Sequence, residues 1–233
     1  GPAAAGRAAL AAKDYDQAIT CFDTALQLTP KESALYIERA TAFEGKKQYD
    51  RAIKDLTEVI RLAPGGIEGY IRRGHAYAAK KDFNRAIADH TQAIQLDPKM
   101  SDGHTARGSD YEDMKDYEHA IADYSEAVRL NQEDVEAYNS LAWLWSTCPK
   151  ADQRNGKLAV EYALYVCKLT EWKESNFMDT LAATYAEVGQ FDAAVRWQTK
   201  ALETPDSYDG KEPLDRARHR LKLYQEHKPF RSE

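Results

Sequence analysis

The chain has 233 residues, of which 43% are hydrophobic and 30% are charged, and glycine and proline are scarce. This composition favours a helical protein with a buried core. No apolar run approaches the ~18 to 20 residues of a membrane span, so we expect no membrane insertion. The net charge of −6 argues against nucleic-acid binding, which depends on basic side chains that neutralise phosphates.

Three cysteines lie far apart in the sequence, at Cys21, Cys148 and Cys167. They form neither a CxxC pair nor a metal-ligand spacing. An odd, scattered set fits a reducing compartment such as the cytoplasm better than a disulfide framework. The opening Gly1-Pro2 is typical of a cloning scar, which leaves open a natural N-terminus, with or without a signal peptide, upstream of it.

A step of alanine followed by isoleucine or valine recurs along the chain. Its alanine, here termed the anchor alanine, falls at Ala18, Ala52, Ala86, Ala120, Ala159 and Ala194. The first three intervals are 34 residues, the fourth is 39 and the last is 35. A period of this length indicates a stack of repeats, each of which buries its apolar side only against its neighbours.

Each repeat is predicted to contain two helices joined by a short turn. In the second repeat, apolar residues follow helical spacing on both sides of Gly45-Lys46-Lys47, and Pro64 ends the pattern. Five additional residues lengthen the turn of the fifth repeat, where Pro149 and Asn155 mark a loop. The predicted repeats are 1–32, 33–66, 67–100, 101–134, 135–174 and 175–205.

A break in the pattern, "PDSYDGKEP", follows the sixth repeat. Residues 213–227 then predict a capping helix with Leu214, Ala217, Leu221 and Tyr224 on its apolar side, and Pro229 stops it. No counterpart is visible at the start of the chain, so we expect further repeats or another domain before residue 1.

Two columns of residues accompany the anchor alanine. A small residue stands twelve positions before it, at Gly6, Ala40, Gly74, Gly108, Ala142 and Ala182. An aromatic residue stands three positions before it in every repeat but the fifth, at Tyr15, Tyr49, Phe83, Tyr117 and Phe191. Small residues let two helix axes approach closely, and the aromatic ring fills the wedge at the turn.

These columns resemble the tetratricopeptide repeat family, and the resemblance covers residues 3 to about 204. The fifth and sixth repeats with "YQEHKPF" are similar to the closing module of many bacterial members. His90 and Gln198 depart from the aromatic residue usual late in the second helix, and Gln132 from the terminal proline. The resemblance implies an all-α, right-handed superhelical solenoid of six helix-turn-helix repeats, in which the first helices line a concave groove that binds peptides or partner proteins.

An arginine precedes the small residue in the second to fourth repeats, and an aspartate follows the anchor alanine by three positions in the same repeats. The other repeats lack both residues, so the two types are expected to meet between packed helices. The sequence therefore predicts a ladder of Arg–Asp pairs. The alternative is that these arginines and aspartates are unrelated charges exposed to solvent. The pairs are Arg39 with Asp55, Arg73 with Asp89, and Arg107 with Asp123.

Counting from the small residue also predicts which side chains lie on the exposed side of each first helix. Nine acids stand there against two arginines and one histidine. An acidic groove favours a basic or neutral segment, and the alternative is that these charges only keep the surface hydrated. This first-helix face comprises Arg7, Leu10, Ile37, Glu38, Thr41, Glu44, Glu68, Ile71, Arg72, His75, Asp102, Thr105, Ser109, Glu112, Asp113, Glu136, Asn139, Ser140, Trp143, Asn176, Asp179, Thr180 and Glu187.

Trp143 is the strongest single candidate for a partner contact, because it points toward the groove beside Asn139, whereas Trp145 takes a core position. The alternative for Trp143 is packing against the neighbouring first helix. A chaperone-type carboxylate clamp needs lysine and asparagine at set places on three first helices. Among those places only Arg72 fits, so we expect no such clamp.

No sequence motif points to catalysis. The chain lacks GxSxG, HExxH, Walker and GxGxxG patterns, its six histidines are expected on different helix faces, and its acidic turn lacks the spacing of a calcium loop. We therefore expect no enzyme activity, no metal and no cofactor. Two functions remain: a protein-interaction module with an acidic groove, and a structural scaffold that self-associates.

Overall fold

The computed structural model describes residues 1–204 and 211–232. Within them the chain forms thirteen α-helices, a 3₁₀ turn at Ala151–Gln153 and no strand. None of these helices combines the length and the apolar character needed to cross a membrane. The helices are α1 Pro2–Ala11, α2 Tyr15–Leu28, α3 Ser33–Gly45, α4 Tyr49–Leu62, α5 Ile67–Ala79, α6 Phe83–Leu96, α7 Ser101–Asp113, α8 Tyr117–Leu130, α9 Val135–Thr147, α10 Gly156–Leu169, α11 Ser175–Glu187, α12 Phe191–Glu203 and α13 Lys211–Gln225.

The chain divides into two compact units, Gly1–Lys115 and Asp116–Glu233, here termed the N-terminal and C-terminal units. The N-terminal unit contains α1 to α7 and the C-terminal unit contains α8 to α13. Inside each unit, every helix packs on the next one along the chain. Each unit is thus an all-α stack of helix-turn-helix repeats, as the sequence period predicted.

The turns between first and second helices also recur along the chain with a similar conformation. The first four have a lysine in the left-handed region two residues before the second helix, at Lys13, Lys47, Lys81 and Lys115, with φ between 56° and 61°. Three of the following second helices begin with an aspartate that accepts a hydrogen bond from the backbone N–H three residues later, at Asp14, Asp82 and Asp116. Such caps satisfy donors that a helix start leaves free.

The small column allows the two helices of a repeat to touch. A Cβ added to Gly6 would lie 2.7 Å from the Phe22 ring, and one added to Gly74 would lie 2.6 Å from Cδ2 of His90. Phe22 and His90 are fully buried, and both stand four residues after an anchor alanine. The departure at His90 therefore keeps the role of the aromatic column, because its ring packs on the glycine of the facing helix.

The fifth repeat accommodates its additional residues outside the helices. Helix α9 ends at Thr147, the 3₁₀ turn follows, and α10 begins at Gly156 with the Asn155 side chain accepting from the Leu158 N–H at 3.3 Å. Trp145 is only half-buried, against the Tyr162 ring. The longer turn thus leaves the helix pair intact.

The capping helix starts and ends two residues earlier than predicted, at Lys211 and Gln225. Pro213 lies in its first turn, where a missing N–H costs nothing. Its apolar side is placed as predicted, with Ala217 and Tyr224 fully buried. The predicted break before this helix falls largely on residues 205–210, outside the described part of the chain.

We expect Gly74→Ala to destabilise the protein by about 1 to 3 kcal/mol, because the added methyl group overpacks against a buried imidazole that is held by a hydrogen bond to Asp110. Urea denaturation followed by circular dichroism measures this change. Gly65→Ala is the control, because its Cβ would meet nothing within 4 Å. Equal stability of the two variants would contradict close packing at Gly74.

Candidate protein-interaction surface

The first predicted Arg–Asp pair forms a buried fork. Arg39 donates from Nε and Nη2 to the two Asp55 carboxylate oxygens at 2.8 and 2.6 Å, and its Nη1 donates to Asp23 at 2.6 Å. The hydrogen bond to Asp55 raises the pKa of Arg39, while burial raises the pKa of Asp55 against the opposing effect of Arg39. One arginine on α3 therefore joins α4 and α2.

The second pair repeats this geometry one repeat later. Arg73 donates to both Asp89 carboxylate oxygens at 2.8 and 2.7 Å, and its Nη1 reaches Thr57 at 3.1 Å. For the third pair, Arg107 belongs to the N-terminal unit and donates to Thr91 there at 3.1 Å, whereas Asp123 is buried in the C-terminal unit.

The first-helix face of the N-terminal unit carries its own ion pairs. Arg7 Nε lies 2.6 Å from Glu38 Oε1. Arg72 Nη2 donates to both Thr41 Oγ1 and Glu44 Oε2, at 2.7 and 2.6 Å. These contacts link α1 to α3 and α3 to α5, so both arginines of this face are engaged with its carboxylates.

Other predicted residues of this face reach solvent. Glu68, His75, Asp102 and Ser109 are exposed, and Glu68 lies 3.9 Å from Arg72 across one helical turn. Six carboxylates and two arginines therefore remain on the N-terminal part of the face. The predicted residues in this unit therefore carry a net negative charge.

A buried His–Asp pair lies beneath this face and was not predicted. His90 Nδ1 lies 2.7 Å from Asp110 Oδ2, and both side chains are almost completely buried. The His75 ring meets the His90 ring edge-on, with 5.1 Å between centroids. The histidines were expected on different helix faces, and the packing of α5 against α6 brings these two together. Within the described residues, no group of three or more His, Cys, Asp or Glu side chains could hold a metal ion.

In the C-terminal unit, the predicted face lines a cleft of about 300 Å³. Asn139 and Trp143 contribute from α9, and Arg216 and Arg220 contribute from α13, while Glu136 is exposed one turn before Asn139. The Oδ1 atom of Asn139 is buried and has no hydrogen-bond partner within the described residues. The remaining residues of the lining are Asn176, Asp179 and Thr180 from α11.

Asp179 was predicted as an exposed acid of the groove, and this was wrong. Its side chain is buried, and Arg220 donates to its two carboxylate oxygens at 3.0 and 2.6 Å. Burial raises the pKa of Asp179, and the arginine opposes this shift. Helix α13 covers this part of α11, so a position that is half-buried in earlier repeats is fully buried in the sixth.

Trp143 is half-buried and lies against residues of its own chain. Its ring packs on Phe230, with centroids 5.8 Å apart, and the Arg220 guanidinium lies 5.6 Å from both ring centroids. Sequence reasoning identified Trp143 but missed Phe230. The available signal was an aromatic residue directly after the helix-stopping Pro229.

The acidity predicted for the whole face does not extend over the C-terminal unit. Arg154 Nε and Arg231 Nη2 lie 2.9 and 2.7 Å from the two Glu187 oxygens. With Arg216 and Arg220, four arginines stand near three acids. The sequence count omitted these arginines because none of them lies on a first helix.

Comparison with known proteins follows this geometry. Sequence models of the tetratricopeptide repeat match residues 3–67, 67–100 and 102–134. The chain belongs to the tetratricopeptide repeat family. Members of this family are protein-interaction modules. Comparison with curated proteins gave no significant match.

Solved structures support the tetratricopeptide fold of the chain. A tetratricopeptide repeat protein from Parabacteroides merdae superposes with a TM-score of 0.75 at 17% identity, over 95% of this chain and 84% of its own. YrrB, described as a tetratricopeptide protein with an unusual peptide-binding site, gives 0.63 at 19% identity over 87% and 98%. MamA from Desulfovibrio magneticus gives 0.62 at 17% identity over 72% and 92%. At these identities the likeness concerns the fold alone.

We expect Arg39→Met to destabilise the tetratricopeptide stack by about 3 to 5 kcal/mol at neutral pH, because it leaves the buried Asp55 carboxylate without its charge partner. Chemical denaturation of Arg39→Met and of Arg61→Met provides the test. Arg61 is exposed and pairs with Glu58 on its own helix, so its loss should change stability little.

The deficit of Arg39→Met should shrink as the pH falls from 7 toward 4. Burial raises the pKa of Asp55, and removal of Arg39 takes away the main opposing effect. A carboxyl whose folded pKa lies above its unfolded pKa of about 3.9 stabilises the fold when protonated, and this contribution is lost as the pH rises through the folded pKa. A deficit that grows on acidification would contradict a stranded carboxylate.

Proposed function

We propose that this chain is a protein-interaction module in which the first-helix face of the N-terminal unit binds a basic or neutral peptide segment. The observation that carries the proposal is the charge of this face. Its two arginines are engaged by Glu38 and Glu44, while Glu68 and Asp102 remain exposed. Net negative charge there attracts cationic segments and raises their association rate.

The distribution of arginine supports the same choice. The ladder arginines Arg39 and Arg73 are turned between helices toward Asp55 and Asp89. Their positive charges are therefore neutralised inside the stack and do not offset the acids of the first-helix face. Asp113, an exposed member of the face, has its pKa raised by partial burial and by the neighbouring Asp110. A cationic side chain of a ligand would relieve this unfavourable concentration of negative charge.

The peptide-binding site ascribed to YrrB supports peptides as the class of ligand, because family membership gives both chains the same repeat. In our proposal the partner acts as an extended segment along first helices. The module recognises it and holds it without chemical change.

A random-peptide display library, selected on the immobilised protein, tests this function. We expect the selected peptides to be enriched several-fold in lysine and arginine over aspartate and glutamate, because the face carries net negative charge. The enrichment should weaken at high salt, since exposed charges are screened. In Glu68→Lys/Asp102→Lys it should disappear.

The control variant is Glu118→Lys/Glu161→Lys, which makes the same change in net charge at exposed positions of the second helices α8 and α10. It should retain the enrichment. Peptides without charge bias, or equal selection by the two variants, would remove the acidic face from the proposal.

Self-association is a second candidate, favoured by an apolar cleft of about 370 Å³ at the start of the N-terminal unit. Leu28 lines it and is 71% exposed, next to Ala3, Ala4 and Leu35. A scaffold that uses this cleft should form a defined oligomer in light scattering, and Leu28→Lys should dissociate it. A monomer at high concentration leaves peptide binding as the better account.

A further inference from the structure

The chain turns back on itself directly after α13. The His227 backbone has a φ of 57°, and the N–H groups of His227 and Lys228 donate to Tyr224 and Leu223 carbonyls at 3.0 and 2.9 Å. This is a Schellman-type helix end. It directs residues 229–232, here termed the return segment, onto α9 and α11.

The return segment contacts those helices as a ligand peptide would. Phe230 packs on the Trp143 ring. Arg231 donates from Nη1 to the Ser146 carbonyl at 3.1 Å and lies 2.7 Å from Glu187 through Nη2. Ser232 donates its N–H to the Thr147 carbonyl at 2.9 Å.

These bonds complete the C-terminal end of α9. The last carbonyls of a helix lack intrahelical donors. In α9 the Leu144 carbonyl accepts from the Cys148 N–H and the Trp145 carbonyl from the Asn155 N–H, at 3.0 and 2.9 Å. The Ser146 carbonyl receives its donor from the Arg231 side chain and the Thr147 carbonyl receives its donor from the Ser232 N–H, 85 residues further along the chain in each case. Without that segment, both carbonyls present acceptors for another donor.

Helix α13 has its own attachments to the C-terminal unit. Ala217 and Tyr224 are fully buried, and Arg220 forks onto Asp179. The return segment is less enclosed, since the Arg231 side chain is 32% exposed and Phe230 is only half-buried. Helix α13 therefore has attachments that do not involve the return segment, and it shares with that segment the hydrophobic cluster of Phe230 with Tyr224 and the contact of Phe230 with Arg220.

We propose that this surface of α9 and α11 is a docking site for an extended peptide that carries an aromatic residue followed by arginine, and that the return segment is its tethered occupant. The inference rests on the proposed function as an interaction module, but it concerns different residues in a different unit. Trp143 takes the aromatic ring, Glu187 takes the guanidinium, and the Thr147 carbonyl takes the next backbone N–H.

The neighbouring cleft shows what a partner would gain over the return segment. From Phe230 to Ser232 an extended chain advances about 7 Å, which matches the rise of about 6 Å between Trp143 and Thr147 on the helix. Two residues before the aromatic would reach Asn139 on the same helix. The return segment does not reach it, because Lys228 is held at the end of α13. A partner can thus donate to the unsatisfied Asn139 Oδ1.

The test uses a fluorescent peptide with the sequence EHKPFRS of residues 226–232. It is titrated against the full chain and against Phe230→Ser/Arg231→Ser, in which the tethered occupant is weakened. A tether provides an effective concentration near the millimolar range, so the wild-type chain should bind the peptide at least ~10-fold more weakly than the variant. Adding Asn139→Ala to the variant should weaken binding about fivefold, the loss of one hydrogen bond.

Binding that requires the phenylalanine and the arginine of the peptide, tested with EHKPSSS, supports the site. Absence of binding to the folded variant at about 1 mM peptide, or equal binding to wild type and variant, overturns it. Circular dichroism verifies folding, and the second variant is Ser232→Pro, which removes both the N–H donor to the Thr147 carbonyl and the hydroxyl donor to Thr147 Oγ1. Because Glu68 and Asp102 lie in the other unit, the display selection can fail or succeed independently of this result.

Discussion

The forked hydrogen bond between a first-helix arginine and a second-helix aspartate is the interaction on which the N-terminal unit depends. Arg39 and Arg73 each engage their own repeat and the preceding one, so a single side chain fixes how three helices meet. Successive residues on a helix differ by about 100° in direction. An arginine turned into the stack therefore fixes the direction of the residue before it, which is Glu38 or Arg72 on the first-helix face.

Sequence reasoning succeeded where a signal recurs with the period. The helix pairs, the small column and the position of the longer turn all follow from spacing, because every repeat must satisfy the same packing against its neighbour. The joint presence of arginine and aspartate at fixed offsets correctly pointed to contact in the second and third repeats. His90 departs from the aromatic residue usual at its position, yet its ring still packs on the small residue of the facing helix.

The sequence could not reveal what depends on a single non-periodic element. Asp179 obeys the same offset as half-buried residues of earlier repeats, yet α13 covers it and supplies Arg220. The contacts of Phe230 and Arg231 join parts of the chain that share no register. The two units consequently differ in the charge of their first-helix faces, although the repeats of both units follow the same sequence pattern.

The long sequence separation of the return segment has a consequence for the order of folding. Contacts inside a repeat are local and form early, whereas contacts between distant residues must first meet the entropy of closing a large loop. During synthesis, α9 leaves the ribosome some 85 residues before Arg231, and domains begin to fold as they emerge. The carbonyls at the C-terminal end of α9 thus lack their donors from the return segment for several seconds after α9 emerges. Their hydrogen bonds to that segment form last.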